Sequence, residues 1–322
     1  MLSIAILGLA AGLDFILGDP WGWTHPVQVM GWAIDRGKAR LLAWEAWSQG
    51  QRWGGVALTV AVVGGSGGVG WLLVAGGNVL DPRLGGAIAT VLLASCFAGR
   101  SLRHAAQSVL EPLRLGDLDL ARSHLALYVG RDTTDLSEAE ILRAVLETVT
   151  ENAVDGVLAP LFYGLVGAAI PGLGSVPLAL AYKAASTLDS MVGYRAAPYT
   201  HLGWFSARFE DGFTWLPCRC AVVTLALLSG QPRRVLAVCR RDAPQDPSPN
   251  AGWSECVYAA IVGVQMGGVN RYGGQLKTKP LLGDPLRPIS PDRIREAMAL
   301  TRLCFLVWLG LGCAILWGLS LV

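Results

Sequence analysis

Four acidic residues fall on one stripe of a single helix. In DLSEAEILRAVLETVTENAVDGVLAP (135–160), Ser137 followed by Glu140 is a capping box, which starts a helix at about Glu138. Gly156 suits its C-terminal end, so the sequence predicts a helix from Glu138 to Asp155. At 3.6 residues per turn, Glu140, Ala144, Glu147, Glu151 and Asp155 share a side, and Ile141, Val145, Leu146, Val149 and Val154 fill much of the rest. Like charges at i,i+4 repel by a few tenths of a kcal/mol. Close to lipid, ionisation costs more, so a counter-cation such as Mg²⁺ on Glu147, Glu151 and Asp155 is expected. The competing reading is a solvated surface helix in which Arg143 pairs with Glu147.

Other polar blocks are spread along the chain. YKAASTLDSMVGY (182–194) puts Lys183 and Asp189 beside an apolar segment, where ionisable groups are either functional or reach to the interface. GWFSARFEDGFTWLP (203–217) is equally consistent with an interfacial aromatic anchor. GRDT (130–133) offers a turn, the fixed cation Arg131 and an acid, a combination suited to phosphate or metal. SPNAG (248–252) is a polar turn around Asn250, and GGVNRYGGQLKTKPLLGD (267–284) is glycine-rich and carries Asn270, Tyr272, Lys277, Lys279 and Asp284. Glycines let backbone approach an anion, and lysines meet phosphate as point charges. GDPWGWTHP (18–26) adds Asp19 and His25. No GxxxxGK[ST] or HExxH occurs, and the GxSxG and GxGxxG matches within 64–70 sit inside an apolar span rather than after a strand, which disfavours the corresponding nucleotide folds, serine hydrolases and zincins.

What must position these groups is set by composition. Of 322 residues, 52% are hydrophobic and only 16% charged, where a soluble chain carries roughly a quarter. The seven cysteines form no CxxC pair or Cys/His cluster, and the net charge of +2 gives no field for nucleic acid. The fold class expected is therefore all-α, a polytopic integral membrane protein of a single domain, in contact with lipid. Spans are expected at about 2–17, 54–75, 84–98 and 303–321, with a broken segment at 157–185 and a further short one at 217–230. The first is read as a retained span, since no basic n-region precedes it. Pro171-Gly172 and Pro177 leave 157–185 as either two short passes or one broken helix. Asp81-Pro82 marks a hairpin turn over 76–83. Lys and Arg concentrate in 18–53, 99–156 and 231–302, which places those loops together on the cytoplasmic side of the cell membrane.

LDFILGDP…HPV (13–27), GRDT, ETVTENAVDGVLAPLFY (147–163), YKAASTLDSMVGY, GWFSARFED (203–211), SPNAG and GGVNRYGG…KPLLGD follow one another in an order that resembles the CobD/CbiB family of adenosylcobinamide-phosphate synthases, from about residue 10 to 285. The resemblance departs from the family pattern at Ser186, Asp246 and Arg271. It implies ATP-dependent joining of a propionate carboxylate of adenosylcobyric acid to aminopropanol or its O-phosphate. A carboxylate must first become an acyl phosphate, which calls for Mg²⁺ and cations around the phosphoryl group. The amine must lose a proton before it attacks. On that chemistry Glu147, Glu151, Asp155 and Asp189 are the expected catalytic residues, as Mg²⁺ ligands and amine base. Arg131, Lys183 and Lys279 would hold phosphates, and Asn152, Asn250 and Asn270 would orient carboxylate or amide groups. Tyr272 accompanies them, and Asp19 and His25 would lie at the rim. Late cobalamin-pathway enzymes or a second copy of the chain are the expected protein partners. Three other readings remain at this stage: a membrane transporter, an intramembrane transferase acting on a lipid diphosphate, and a non-catalytic anchor for those enzymes.

Overall fold

The structure, a computed structural model, describes residues 2–18, 25–43 and 48–321. It is helical nearly throughout, as the composition predicts: thirteen α-helices and one two-stranded antiparallel sheet among the described residues. Four helical stretches in the expected places are long and apolar enough to cross a membrane: Ser48–Leu80, Pro82–Arg114, Trp204–Leu228 and Pro291–Leu319. A fifth, Glu138–Ala169, includes the acidic helix. Leu2–Ile16 is apolar but shorter. Chain packing divides the protein into two compact units, where the sequence suggested one domain: residues 1–100, 159–214 and 307–322, and residues 101–158 and 215–306.

The first unit contains α1 (Leu2–Ile16), α2 (Pro26–Ala43), α3 (Ser48–Leu80), α4 (Pro82–Ala94), α8 (Ala159–Ala169) and α9 (Ser175–Val192). Its largest interface joins α3 to α9, and the glycines of α3 explain why: a Cβ on Gly67 would sit 3.0 Å from the Pro177 carbonyl oxygen. Small residues let helix backbones approach where lipid supplies no hydrophobic drive. Val60, Leu72, Leu73, Val79 and Leu80 of the same helix face outward, as lipid-facing side chains should. The expected broken segment resolves into the α8 and α9 pair, joined at residues 170–174. The hairpin turn after α3 is tighter than the sequence suggested, since Asp81 alone separates α3 from α4 and accepts the Arg83 N–H at 2.6 Å. Residues 26–43, expected as loop, form α2.

The second unit is built on α7 (Glu138–Ala153), with most of α5 (Gly99–Arg114), α6 (Leu118–Leu125), α11 (Pro232–Asp242), α12 (Ala251–Val262), and the strands β1 (Met266–Tyr272) and β2 (Gln275–Leu282) around it. The Ser137–Glu140 capping box is present in both directions. The helix does not end at Gly156, however. Val154–Leu158 is a single π-helical turn, and α8 continues to Ala169. Pro160 has no N–H to offer the Gly156 carbonyl, and a wider turn just before it accommodates that loss. Pro217 is likewise taken up inside a helix: α10 runs unbroken over Trp204–Leu228, so the aromatic GWFSARFED block is helical and the apolar segment at 217–230 is longer than it reads. The glycine-rich stretch, expected as a loop, is the β1–β2 hairpin; Gly273 and Gly274 turn with φ of +55° and +80°, between Tyr272 and its partner Gln275. A two-residue loop positive in φ at both positions matches strand twist, and Gly-Gly supplies it. The last helix is α13 (Pro291–Leu319).

Candidate functional site

The polar blocks of the second unit converge on α7. Arg131 of GRDT is 9% exposed; it forms an ion pair with Glu147 and donates to the Asn270 Oδ1 at 2.9 Å. Glu147 is 1% exposed, and its other oxygen accepts the Gly267 backbone N–H at 2.9 Å. Gly267 sits at a β-bulge with φ +90°, and a Cβ there would collide with the Pro280 carbonyl, so only glycine brings this N–H onto the carboxylate. Arg143 does not pair with Glu147. Its guanidinium instead donates to the carbonyls of Gly267 and Val269 and to Asn270. The solvated-helix reading is excluded by this burial.

A second ion pair lies beside the first. Lys279 of β2 donates to the Oε1 of Glu255 on α12 at 3.0 Å. Glu255 is completely buried, whereas the Lys279 side chain is 27% exposed. The other Glu255 oxygen is buried with no hydrogen-bond partner among the described residues, as is the Nδ2 of Asn270. Glu151 interacts electrostatically with Lys279, Asp246, Glu147 and Arg131. Burial pushes the Glu255 carboxyl up to about 8; Lys279 opposes that rise, and Glu151 and Glu147 add to it. Lys279 is held above the usual ammonium range: burial alone would lower it, but Glu255, Glu151 and Glu147 outweigh that.

The remaining blocks act as braces. Asp132 accepts both turn N–H groups of the hairpin, from Gly273 at 3.0 Å and Gly274 at 2.8 Å, which locks GRDT to the hairpin tip. Asn250 stands at the N-cap position of α12 without a side-chain cap, since its Oδ1 accepts from Arg219 at 3.2 Å, and that guanidinium lies over the Trp253 and Trp215 rings. Asp242 accepts the Gly283 N–H at 2.9 Å, and Arg241 bridges Asp242 to Asp284. Hydrogen bonds from Arg241 hold the Asp242 carboxyl below its ordinary value. Tyr272 faces Lys277 at 5.4 Å.

Several expectations are not met. Asn152 is exposed and donates to the Thr148 carbonyl of its own helix. Asp155 is half-buried in the π turn, displaced from a regular α stripe. Among the described residues no group of three His, Cys, Asp or Glu is arranged to hold a metal ion, and both Glu147 oxygens are already used. The set Glu147, Glu151 and Asp155 therefore does not fit a metal as drawn from the sequence. Lys183 and Asp189 stand on α9 in the first unit. His25 caps α2 there, its Nδ1 accepting the Val27 N–H at 3.2 Å. Asp19 lies outside the described residues.

Glu255 was missed by the sequence reading. Its signal is present: one charge in the otherwise uncharged helix AGWSECVYAAIV, directly after SPNAG.

Comparison with known proteins settles the lineage. The family profile described as CobD/Cbib protein matches residues 7–301. The chain belongs to the CobD/CbiB family. The cobalamin biosynthesis protein CobD of Synechocystis is 52% identical over 98% of this chain and 92% of its own length. The cobalamin biosynthesis protein CbiB of Salmonella typhimurium is 41% identical over 99% of both chains. The CobD of Klebsiella pneumoniae is 40% identical over 89% of each. Every block that carried the resemblance lies inside the span matched by the CobD/CbiB profile, and so does Glu255. No solved structure matches the chain.

Proposed function

We propose that this protein forms an amide bond in cobalamin biosynthesis, at the cell membrane. It joins the free propionate carboxylate of adenosylcobyric acid to aminopropanol or aminopropanol O-phosphate and consumes ATP. The reading is supported by membership of the CobD/CbiB family and by relatives named cobalamin biosynthesis proteins. The observation that carries it to chemistry is the buried Lys279–Glu255 pair beside Glu151, which gathers an ammonium and two carboxylates from β2, α12 and α7.

Such a group suits both half-reactions. Activation places a phosphoryl group on the substrate carboxylate, and the charge that develops on it needs a fixed cation. Lys279, reachable from solvent along part of its side chain, supplies that charge. Arg131 cannot move to the phosphate without stripping the buried Glu147 of its partner, so its role is to fix Glu147 and the hairpin. In the second half-reaction the amine must be neutral, and a carboxyl group titrating near neutrality accepts its proton best. ATP is the proposed co-substrate, and Mg²⁺ is proposed to enter as its counter-ion; no step is assigned to a protein-held metal.

The test is ligation by purified, detergent-solubilised protein given adenosylcobyric acid, ATP, Mg²⁺ and either amine, with product followed by mass spectrometry. ATP-dependent appearance of the amide is expected. Absence of product from folded protein with both amines would reject catalysis by this chain alone and favour an anchoring role.

A further inference from the structure

The acidic groups around α7 outnumber their cations. Glu147 and Glu151 of α7, Glu255 of α12 and Asp246 before α12 are set against Arg131 and Lys279. Arg143, the one cation on α7 itself, spends its guanidinium on two backbone carbonyls and Asn270. Arg131 is committed to Glu147 and Asn270. Lys279 thus serves Glu255 directly and Glu151 through space, and the second Glu255 oxygen has no partner among the described residues. A buried carboxylate left in this state either holds a proton or takes a further cation. The bond already made identifies the kind of cation that fits, since a primary ammonium donates to Glu255 at 3.0 Å.

We infer that Glu255 and Glu151 form the subsite for the ammonium group of the amine substrate, a short primary amino alcohol or its phosphate ester. The inference rests on the amide-forming reading above. The incoming ammonium takes the place of Lys279 at Glu255, and Lys279 turns its charge to the acyl phosphate. The ammonium passes one proton to the Glu255 carboxylate. The amine lone pair then forms the C–N bond at the acyl carbon, and the C–O bond to phosphate breaks with its electron pair going to the phosphate. The second proton of the attacking nitrogen leaves with that phosphate, so the amide, phosphate and a protonated Glu255 balance the ammonium and acyl phosphate that entered. The rise of the Glu255 carboxyl to about 8 leaves it able to take and return a proton near neutral pH.

Steady-state ligation by the full-length detergent-solubilised protein tests this, with Glu255→Gln and Glu151→Gln compared with wild type. Loss of one charge-assisted contact predicts a KM for the amine raised about 10-fold or more. The KM for ATP should stay within about twofold, because neither carboxylate is assigned to a phosphate. An unchanged amine KM, or equal rises in both, overturns the subsite. If Glu255→Gln does not fold, competition in the wild-type protein decides. The unreactive tertiary amine 1-(dimethylamino)propan-2-ol should inhibit at least about 10-fold better than propane-1,2-diol, which lacks the charge. Equal inhibition overturns the inference. Failure of wild-type ligation with every amine removes the parent reading as well, whereas ligation with an indifferent amine KM removes the subsite alone.

Discussion

The two units of this protein solve opposite packing problems. In the first, α3 meets α9 through Gly67 and Gly70, and large apolar side chains point outward. Two of its hydroxyls are paired within a cluster of aromatic rings, Tyr182 with Thr214 at 2.8 Å and Tyr163 with the Phe213 carbonyl at 2.6 Å. In the second, the interior holds ionisable side chains from four parts of the chain, and the β-hairpin brings Lys279 among them. Close approach of backbones holds the first; matched charge and backbone N–H donors hold the second. Chemistry that moves protons and phosphoryl groups needs the second arrangement.

Substitutions that treat the two alike should separate them. The largest effect is expected for Glu147→Ala, which leaves Arg131 buried without its carboxylate and the Gly267 N–H without its acceptor. A loss of about 3–5 kcal/mol is expected in denaturation of the solubilised protein. Gly67→Leu attacks the first unit instead, where the new side chain must displace the Pro177 carbonyl. Overpacking of this kind costs about 1–3 kcal/mol, and ligation kinetics of the surviving folded protein should be unchanged. A milder effect is a pH dependence that belongs to the second unit. Glu255 titrates near 8 in the folded protein and at about 4.3 when unfolded, so the folded state binds the extra proton between those values. Its contribution to stability is therefore full below about pH 4.3 and is lost as pH rises to about 8, by at most about 1.4 kcal/mol per pH unit. Glu255→Gln should flatten that slope in melts across this range. The smallest effect is expected for Ser137→Ala, which removes half of the capping box at the start of α7 and costs about 1 kcal/mol. Equal losses for Glu147→Ala and Ser137→Ala would mean that the buried pair adds nothing beyond helix capping.

The sequence was legible where chemistry is local. The capping box, the apolar spans and the acidic stripe all follow from neighbouring residues, and Arg131, Glu147, Glu151, Asn270 and Lys279 do come together. Gly273-Gly274 between strand-like residues was a readable hairpin signal, hidden because glycines in a polar stretch also suit a phosphate loop. Glu255 stood out as a single charge in an apolar helix, but nothing local assigns it a partner. Gly156 read as a helix end because the π turn that carries α7 on into α8 depends on packing elsewhere in the fold.

By itself, then, the sequence determined the solvent, the helical class, the family and most of the residue types available for chemistry, since these follow from composition, periodicity and motif order. Only the tertiary structure decided the pairings. Arg131 rather than Arg143 meets Glu147, and Lys279 meets Glu255, because a buried charge selects whichever opposite group the chain brings within hydrogen-bond reach. That distance is set by the bulge at Gly267 and the crossing of α12 over α7, and separation along the chain carries no information about it.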